Sequence, residues 1–285
     1  MKISGFTIIR NAIKNDYPVV EAIGSVLPLV DEMIVSIGNC EDGTAALIGA
    51  IRSDKIKIIH SAWDPAISQG GEVLAIETNK AFEHISPDSD WAFYIQADEV
   101  LHEKYYSTIK DAAATYLDDK RVEGLLFRYL HFYGTYDYVG DSRKWYNKEV
   151  RIIRNDKRIQ SYKDAQGFRK NGEKLKVKLI DACINHYGWV KSPQQMEKKL
   201  WDMGQYWSSG GIKEEEFRFD YSEFDSLEKF TGTHPAVLKN RISEKNWHVD
   251  FDISKKKFSL KDRLLYWVEK KIGKRLFDFH NYRII

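Results

Sequence analysis

Gln96, Ala97, Asp98 and Glu99 follow directly on the apolar run 91–95, so two adjacent carboxylates arrive where a strand leaves the core. Neighbouring carboxylates repel, and each costs several kcal/mol if desolvated without a partner. A divalent cation bound to a phosphate meets both demands, with carboxylate oxygens on one side of it and phosphate oxygens on the other. A helix start meets them too, because Asp and Glu near a helix N-terminus cap it and favour its dipole. Other polar groups fall at comparable places. Arg10 and Asn11 close the first apolar run, and the second ends in a Gly-rich turn, 38–44, that can carry Asp42 and backbone N–H groups toward a ligand.

Positioning these groups requires a sheet. Strand-like apolar runs occupy 3–9, 33–37, 56–59 and 91–95, with amphipathic stretches at 19–30, 45–52, 72–85 and 105–117. Near-continuous apolar strands separated by helices predict a parallel sheet covered on both faces, whose ligands collect at the carboxyl ends of its strands. From residue 122 the pattern changes to aromatic-rich strands (122–140, 149–154, 176–188), which predict a mixed sheet. Ser192 and Pro193 then open a helix, and another is expected at 234–247. Between them, 208–232 reads as irregular, with Gly210, Gly211 and an acidic triplet at 214–216. The organisation expected is an α/β domain over 1–190 and a mostly helical extension over 191–285.

Composition excludes several classes. No stretch approaches the roughly 18 uninterrupted apolar residues of a membrane span, and the chain enters a strand pattern at once without a signal-like segment, so a cytoplasmic location is expected. Two cysteines, Cys40 and Cys183, are too few for a disulfide framework. The net charge of +2 is unevenly spread: residues 255–275 carry +7, leaving −5 on the rest. That balance points to an anionic surface as partner rather than to nucleic acid. The first strand leads into no Gly-rich phosphate loop, which argues against a dinucleotide-dependent oxidoreductase.

The strand-end residues resemble the family 2 glycosyltransferases, which have the GT-A nucleotide-sugar fold. The 37–44 segment, Ile-Gly-Asn-Cys-Glu-Asp-Gly-Thr, is similar to their second-strand signature. Gln96-Ala97-Asp98 stands where they carry an Asp-x-Asp metal motif, and Arg151 to Arg154 and the His186-Tyr187-Gly188 segment extend the likeness over about 1–195. It includes bacterial members acting on lipopolysaccharide cores. Two departures stand out: Ile37 and Gly38 replace the aspartate pair that touches base and ribose, and Gln96 replaces the first aspartate of the metal motif.

The resemblance implies an inverting, metal-dependent transfer of a sugar from a nucleotide-sugar donor to a cell-surface glycan or glycolipid acceptor. Mn2+ or Mg2+ would be held by Asp98, with His186 as second ligand. Asp164 is the first candidate for the base, ahead of Asp137 and Asp141. Arg10, Asn11, Asp42, Gln96, Glu99, Arg151 and Arg154 are the candidate donor contacts, with at most one of the two arginines reaching the phosphates, because a spacing of three puts them on opposite strand faces. A non-catalytic nucleotide-sugar or glycan-binding descendant, whose lost aspartates mark lost turnover, is the alternative. The aromatic segments 132–138 and 143–146 are candidate acceptor contacts. Residues 259–277 read as a helix capped by Ser259, either lying on an anionic membrane or packing its apolar side on the core with a solvated basic face.

Overall fold

The computed structural model describes residues 1–64, 66–67, 70–204, 206, 217–273 and 275–285; the 210–211 glycines and the 214–216 acidic triplet lie outside them. Three strands begin the sheet: β1 (Ile3–Ile9), β2 (Glu32–Ile37) and β3 (Ile56–His60), separated by helices α1 (Val19–Val26) and α2 (Thr44–Gly49). Helix α3 (Glu72–Glu83) leads to β4 (Trp91–Tyr94), which pairs parallel to β1, so the order 3-2-1-4 forms a continuous parallel core. Alternation distributes side chains to two faces. Ile9, Met33, Val35 and Phe93 pack with α1 and α2 on one side, while Phe6, Ile8, Ile34 and Tyr94 pack with α3 on the other. The edge strand β3 is partly solvated, with Ile58 exposed.

Beyond β4 the sheet becomes antiparallel and mixed, as the aromatic strand patterns predict. A short β5 (Glu99–Leu101) precedes α4 (Tyr106–Thr115), then β6 (Gly124–Tyr133), β7 (Tyr138–Gly140) and β8 (Lys148–Arg154). Strand β8 inserts antiparallel between β4 and β6. A separate three-stranded sheet is formed by β9 (Ile159–Tyr162), β10 (Gly167–Lys170) and β11 (Glu173–Lys174). The long β12 (Lys176–Trp189) runs parallel to β6 and antiparallel to β5, setting His186 opposite Glu99.

Residues 191–285 are interleaved with this sheet as well as helical. Helix α5 (Pro193–Gly204) starts at Pro193, where the Ser192 hydroxyl accepts from Gln195 N–H at 3.2 Å. Strand β13 (Leu227–Lys229) pairs with β7. The 234–247 stretch is helical only over a 3-10 turn and α6 (Lys239–Ser243). Helix α7 (Leu260–Ile272) is followed by β14 (Arg283–Ile284), which pairs with β12. Among the described residues no helix is long and apolar enough to cross a membrane.

Candidate active site

The turn after β4 separates the two adjacent carboxylates. Glu99 N–H donates to the Gln96 carbonyl at 3.1 Å, and Gln96 N–H donates back to the Glu99 carboxylate at 3.0 Å. Glu99 thereby points beneath the turn, fully buried. There its oxygens accept from Arg151 Nη2 at 2.5 Å, from Arg151 Nε at 2.9 and 3.0 Å, and from the Tyr129 hydroxyl. Arg151 is itself fully buried. The expectation that Glu99 and Arg151 contact the donor is corrected: the bidentate pair is fully buried in the core and lines no part of the cleft. Neither does Glu99 start a helix. Arg154 is also corrected. It donates to the carbonyls of Tyr116, Leu117, Asp119 and Val122 and lies 3.9 Å over the Trp91 ring, satisfying the carbonyls left open where α4 ends.

Asp98 takes the opposite direction, into a cleft at the carboxyl ends of β1 and β4. Its Oδ2 lies 3.4 Å from His186 Nε2 and 3.1 Å from Lys199 Nζ. Lys199 also donates to the Gly188 carbonyl at 2.8 Å. Gly188 is required here, since a Cβ on it would stand 2.5 Å from Asp98 Oδ2 and 2.7 Å from the His186 ring. Burial alone would raise the Asp98 carboxyl, but Lys199 and His186 outweigh it and hold the group well below the usual carboxylate range.

The same cleft collects Arg10, Gln96, Asp164 and His186 from the predicted set. Gln96 Nε2 donates to the Ala165 carbonyl at 3.4 Å, tying the Asp164 loop to the β4 end. Asp164 lies between Lys163 and Ala165, both in the left-handed region at φ 55° and 60°, and burial raises its carboxyl. Arg10 donates to the Tyr206 hydroxyl at 2.6 Å. Asn11 and Asp42 stand outside the cleft and order its rim. The Asn11 side chain accepts from Glu41 N–H, while Asp42 accepts from the N–H groups of Lys14 and Thr44. Asp141, an alternative base, is held by Lys256, Lys270 and Tyr266, and Asp137 closes a turn with Thr135.

Several cleft residues escaped the sequence reading. Trp63 and Tyr206 form an aromatic wall with ring centroids 5.6 Å apart. Gly38, one of the departures from the aspartate pair, makes room for it: a Cβ there would stand 2.6 Å from Trp63 Nε1. That indole nitrogen is buried with no hydrogen-bond partner among the described residues. Lys199 had a legible signal, because it continues the Met196–Leu200–Met203 stripe of α5 at helical spacing, and a lysine on an apolar stripe needs a reason to be there.

Asp98 and His186 are donors of the kinds that Mn2+ accepts, and no third His, Cys, Asp or Glu joins them among the described residues. An ion about 2 Å from Asp98 Oδ2 would stand beside the ammonium on that same oxygen. At Oδ2 a divalent ion and the Lys199 ammonium would compete for one oxygen.

No protein-family model matches the chain, and no curated protein sequence matches it. Solved structures similar to it include TarS of S. aureus (14% identity over 71% of this chain and 39% of that one, TM-score 0.39). Glucosyl-3-phosphoglycerate synthase of Mycobacterium tuberculosis, in complex with Mn2+, UDP and phosphoglyceric acid, gives 18% identity over 46% and 43%, at TM-score 0.32. A third is the 4-diphosphocytidyl-2C-methyl-D-erythritol synthase of Anaerococcus prevotii (12% over 70% and 95%, TM-score 0.41). The chain spans less than half the length of the first two. The sheet-and-helix frame itself is mixed, mainly parallel in its core, and flanked by helices.

Proposed function

We propose that the chain transfers a sugar from a nucleotide-sugar donor to an acceptor hydroxyl in this cleft, with inversion. The observation that carries the reading is the convergence of Arg10, Gln96, Asp98, Asp164 and His186 at the ends of two parallel strands. In a single displacement the acceptor oxygen bonds to the anomeric carbon as the bond from that carbon to the diphosphate oxygen breaks, its electron pair leaving with the diphosphate. The acceptor proton passes to the Asp164 carboxylate, whose raised pKa suits a base. The nucleobase lies against the rings of Trp63 and Tyr206. A second recess shares His186 and Met203 with the cleft and is lined by Trp189, Met196, Leu200 and Lys199, a largely apolar and aromatic setting suited to an acceptor. Screening nucleotide sugars for hydrolysis and transfer tests the reading. Wild type turns over one of them and Asp98→Ala loses at least about tenfold, or roughly 1.4 kcal/mol of barrier; equal rates remove Asp98 from the mechanism. Because Gly38 and Ile37 leave no acidic base contact, a nucleotide-sugar-binding protein without turnover is the second reading, supported by donor binding with no product.

The acceptor in this reading is a cell-surface glycan or glycolipid, approached through α7. That helix docks by its polar side: Tyr266 and Lys270 bond Asp141, and Glu269 accepts from Arg143 at 3.0 Å and Arg275 at 2.7 Å. Its apolar side faces outward, with Leu260 85%, Leu264 62% and Trp267 59% exposed. The expectation of a core-packing helix with a solvated basic face is therefore reversed, since none of its residues is buried. Lys261, Arg263 and Lys271 flank that stripe with no acidic partner among the described residues, a combination suited to anionic headgroups.

A further inference from the structure

Lys199 lines the second recess and reaches across to Asp98 of the cleft, and the scheme above gives it no task. It is 9% exposed, which for a lysine demands compensation. Two acceptors provide it, Asp98 Oδ2 at 3.1 Å and the Gly188 carbonyl at 2.8 Å, and the Tyr17 ring centroid lies 5.0 Å away. An ammonium has three N–H donors, and among the described residues two oxygen acceptors take two of them. The ammonium sits on Asp98 Oδ2, the oxygen that also lies nearest His186 Nε2, and the glycine at 188 leaves room for that carboxylate and the His186 ring. Lys199 lines the second recess, and its Asp98 partner and the His186 ring both line the cleft, so the ammonium stands where the two recesses meet.

We propose that the Lys199 ammonium is the resident counter-charge for the nucleoside diphosphate, so that diphosphate binding does not require a divalent metal. The proposal rests on the nucleotide-sugar reading and specifies how that site meets its ligand's charge. A fixed ammonium needs no loading, and a charge-assisted N–H···O contact to a phosphate oxygen strengthens as the bridging bond breaks and charge gathers on the leaving group. With Lys199 removed, Asp98 and His186 become the two side chains free to hold Mn2+ or Mg2+.

Calorimetric titration of UDP and GDP into the full chain, in excess EDTA and in Mn2+, tests this with a readout independent of turnover. Wild type is expected to bind one diphosphate with Kd values in the two buffers within about threefold of each other. Lys199→Met is expected to bind it at least about tenfold more weakly in EDTA and to regain affinity in Mn2+. Lys199→Arg, which keeps the charge, should retain binding in EDTA, and thermal melts identify any variant that has merely unfolded. Wild-type binding that appears only with Mn2+, or a folded Lys199→Met that binds like wild type in EDTA, overturns the proposal and leaves the nucleotide site standing. Failure of wild type to bind either diphosphate in both buffers overturns the nucleotide reading and this proposal with it.

Discussion

Two carboxylates adjacent in sequence have opposite fates, and each makes a prediction of its own. Glu99 sits under the site, paired with Arg151 and Tyr129 inside the core. Removing one member leaves the other charge buried and alone, so Glu99→Ala should destabilise the fold by roughly 3–5 kcal/mol, read as a lowered urea midpoint at unchanged slope. Asp164 instead carries a proton in the proposed step. It must be ionised to accept one, so the rate falls as pH drops through its pKa, and burial places that fall above the ordinary carboxylate range. A kcat/KM profile should show this acidic limb in wild type and lose it in Asp164→Asn; an unchanged profile would assign the base elsewhere. At this scale the sequence was a partial guide. Asp98 and His186 were legible because a strand end and a short aromatic motif announce them. Glu99, Arg151 and Arg154 were misassigned because charge type does not say whether a partner lies in the core, and their partners are 52 residues away for the pair and spread over the α4 end for Arg154.

At the scale of elements, alternation and helical spacing located β1, β2, β4 and the helices between them to within a few residues, because burial on both faces leaves long apolar runs. The three-stranded β9–β11 sheet was not anticipated: its strands are two to four residues long and half solvated, too short for a period to register. The α7 helix was found, yet the side it docks with was not, because ion pairs to Asp141 and Arg143 outcompete apolar contact there. Its outward stripe predicts salt-sensitive sedimentation with phosphatidylserine vesicles. A Leu264→Asp, Trp267→Asp double variant should abolish it with no change in the thermal melt, whereas indifference of wild type to lipid would leave the stripe for protein contacts. Gly38 makes a further test. Gly38→Ala drives a methyl into Trp63 and should cost about 1–3 kcal/mol, together with the tryptophan fluorescence response to nucleotide.

Across the whole molecule, the basic groups around the cleft are coupled. Lys191 is fully buried, and burial, reinforced by the Lys199 charge, lowers its ammonium to about 7. The unfolded chain, with Lys191 near its ordinary value of about 10.4, then holds a proton that the folded chain has lost anywhere between those two values. Stability should therefore rise as pH increases from about 7 toward 10, and be lowest for this group below 7. Urea midpoints at three pH values should show that rise in wild type and a flatter course in Lys191→Met.

Helix α5 carries three separate responsibilities. Its Asp202 binds Lys14 and Asn15 beside β1, its Met203 walls both recesses, and its Lys199 balances Asp98. Anything that lifts this one segment uncovers the cleft and strips the acid of its counter-charge in the same movement. With this rod displaced, the carboxylate at the floor of the cleft would face solvent without the ammonium that now balances it.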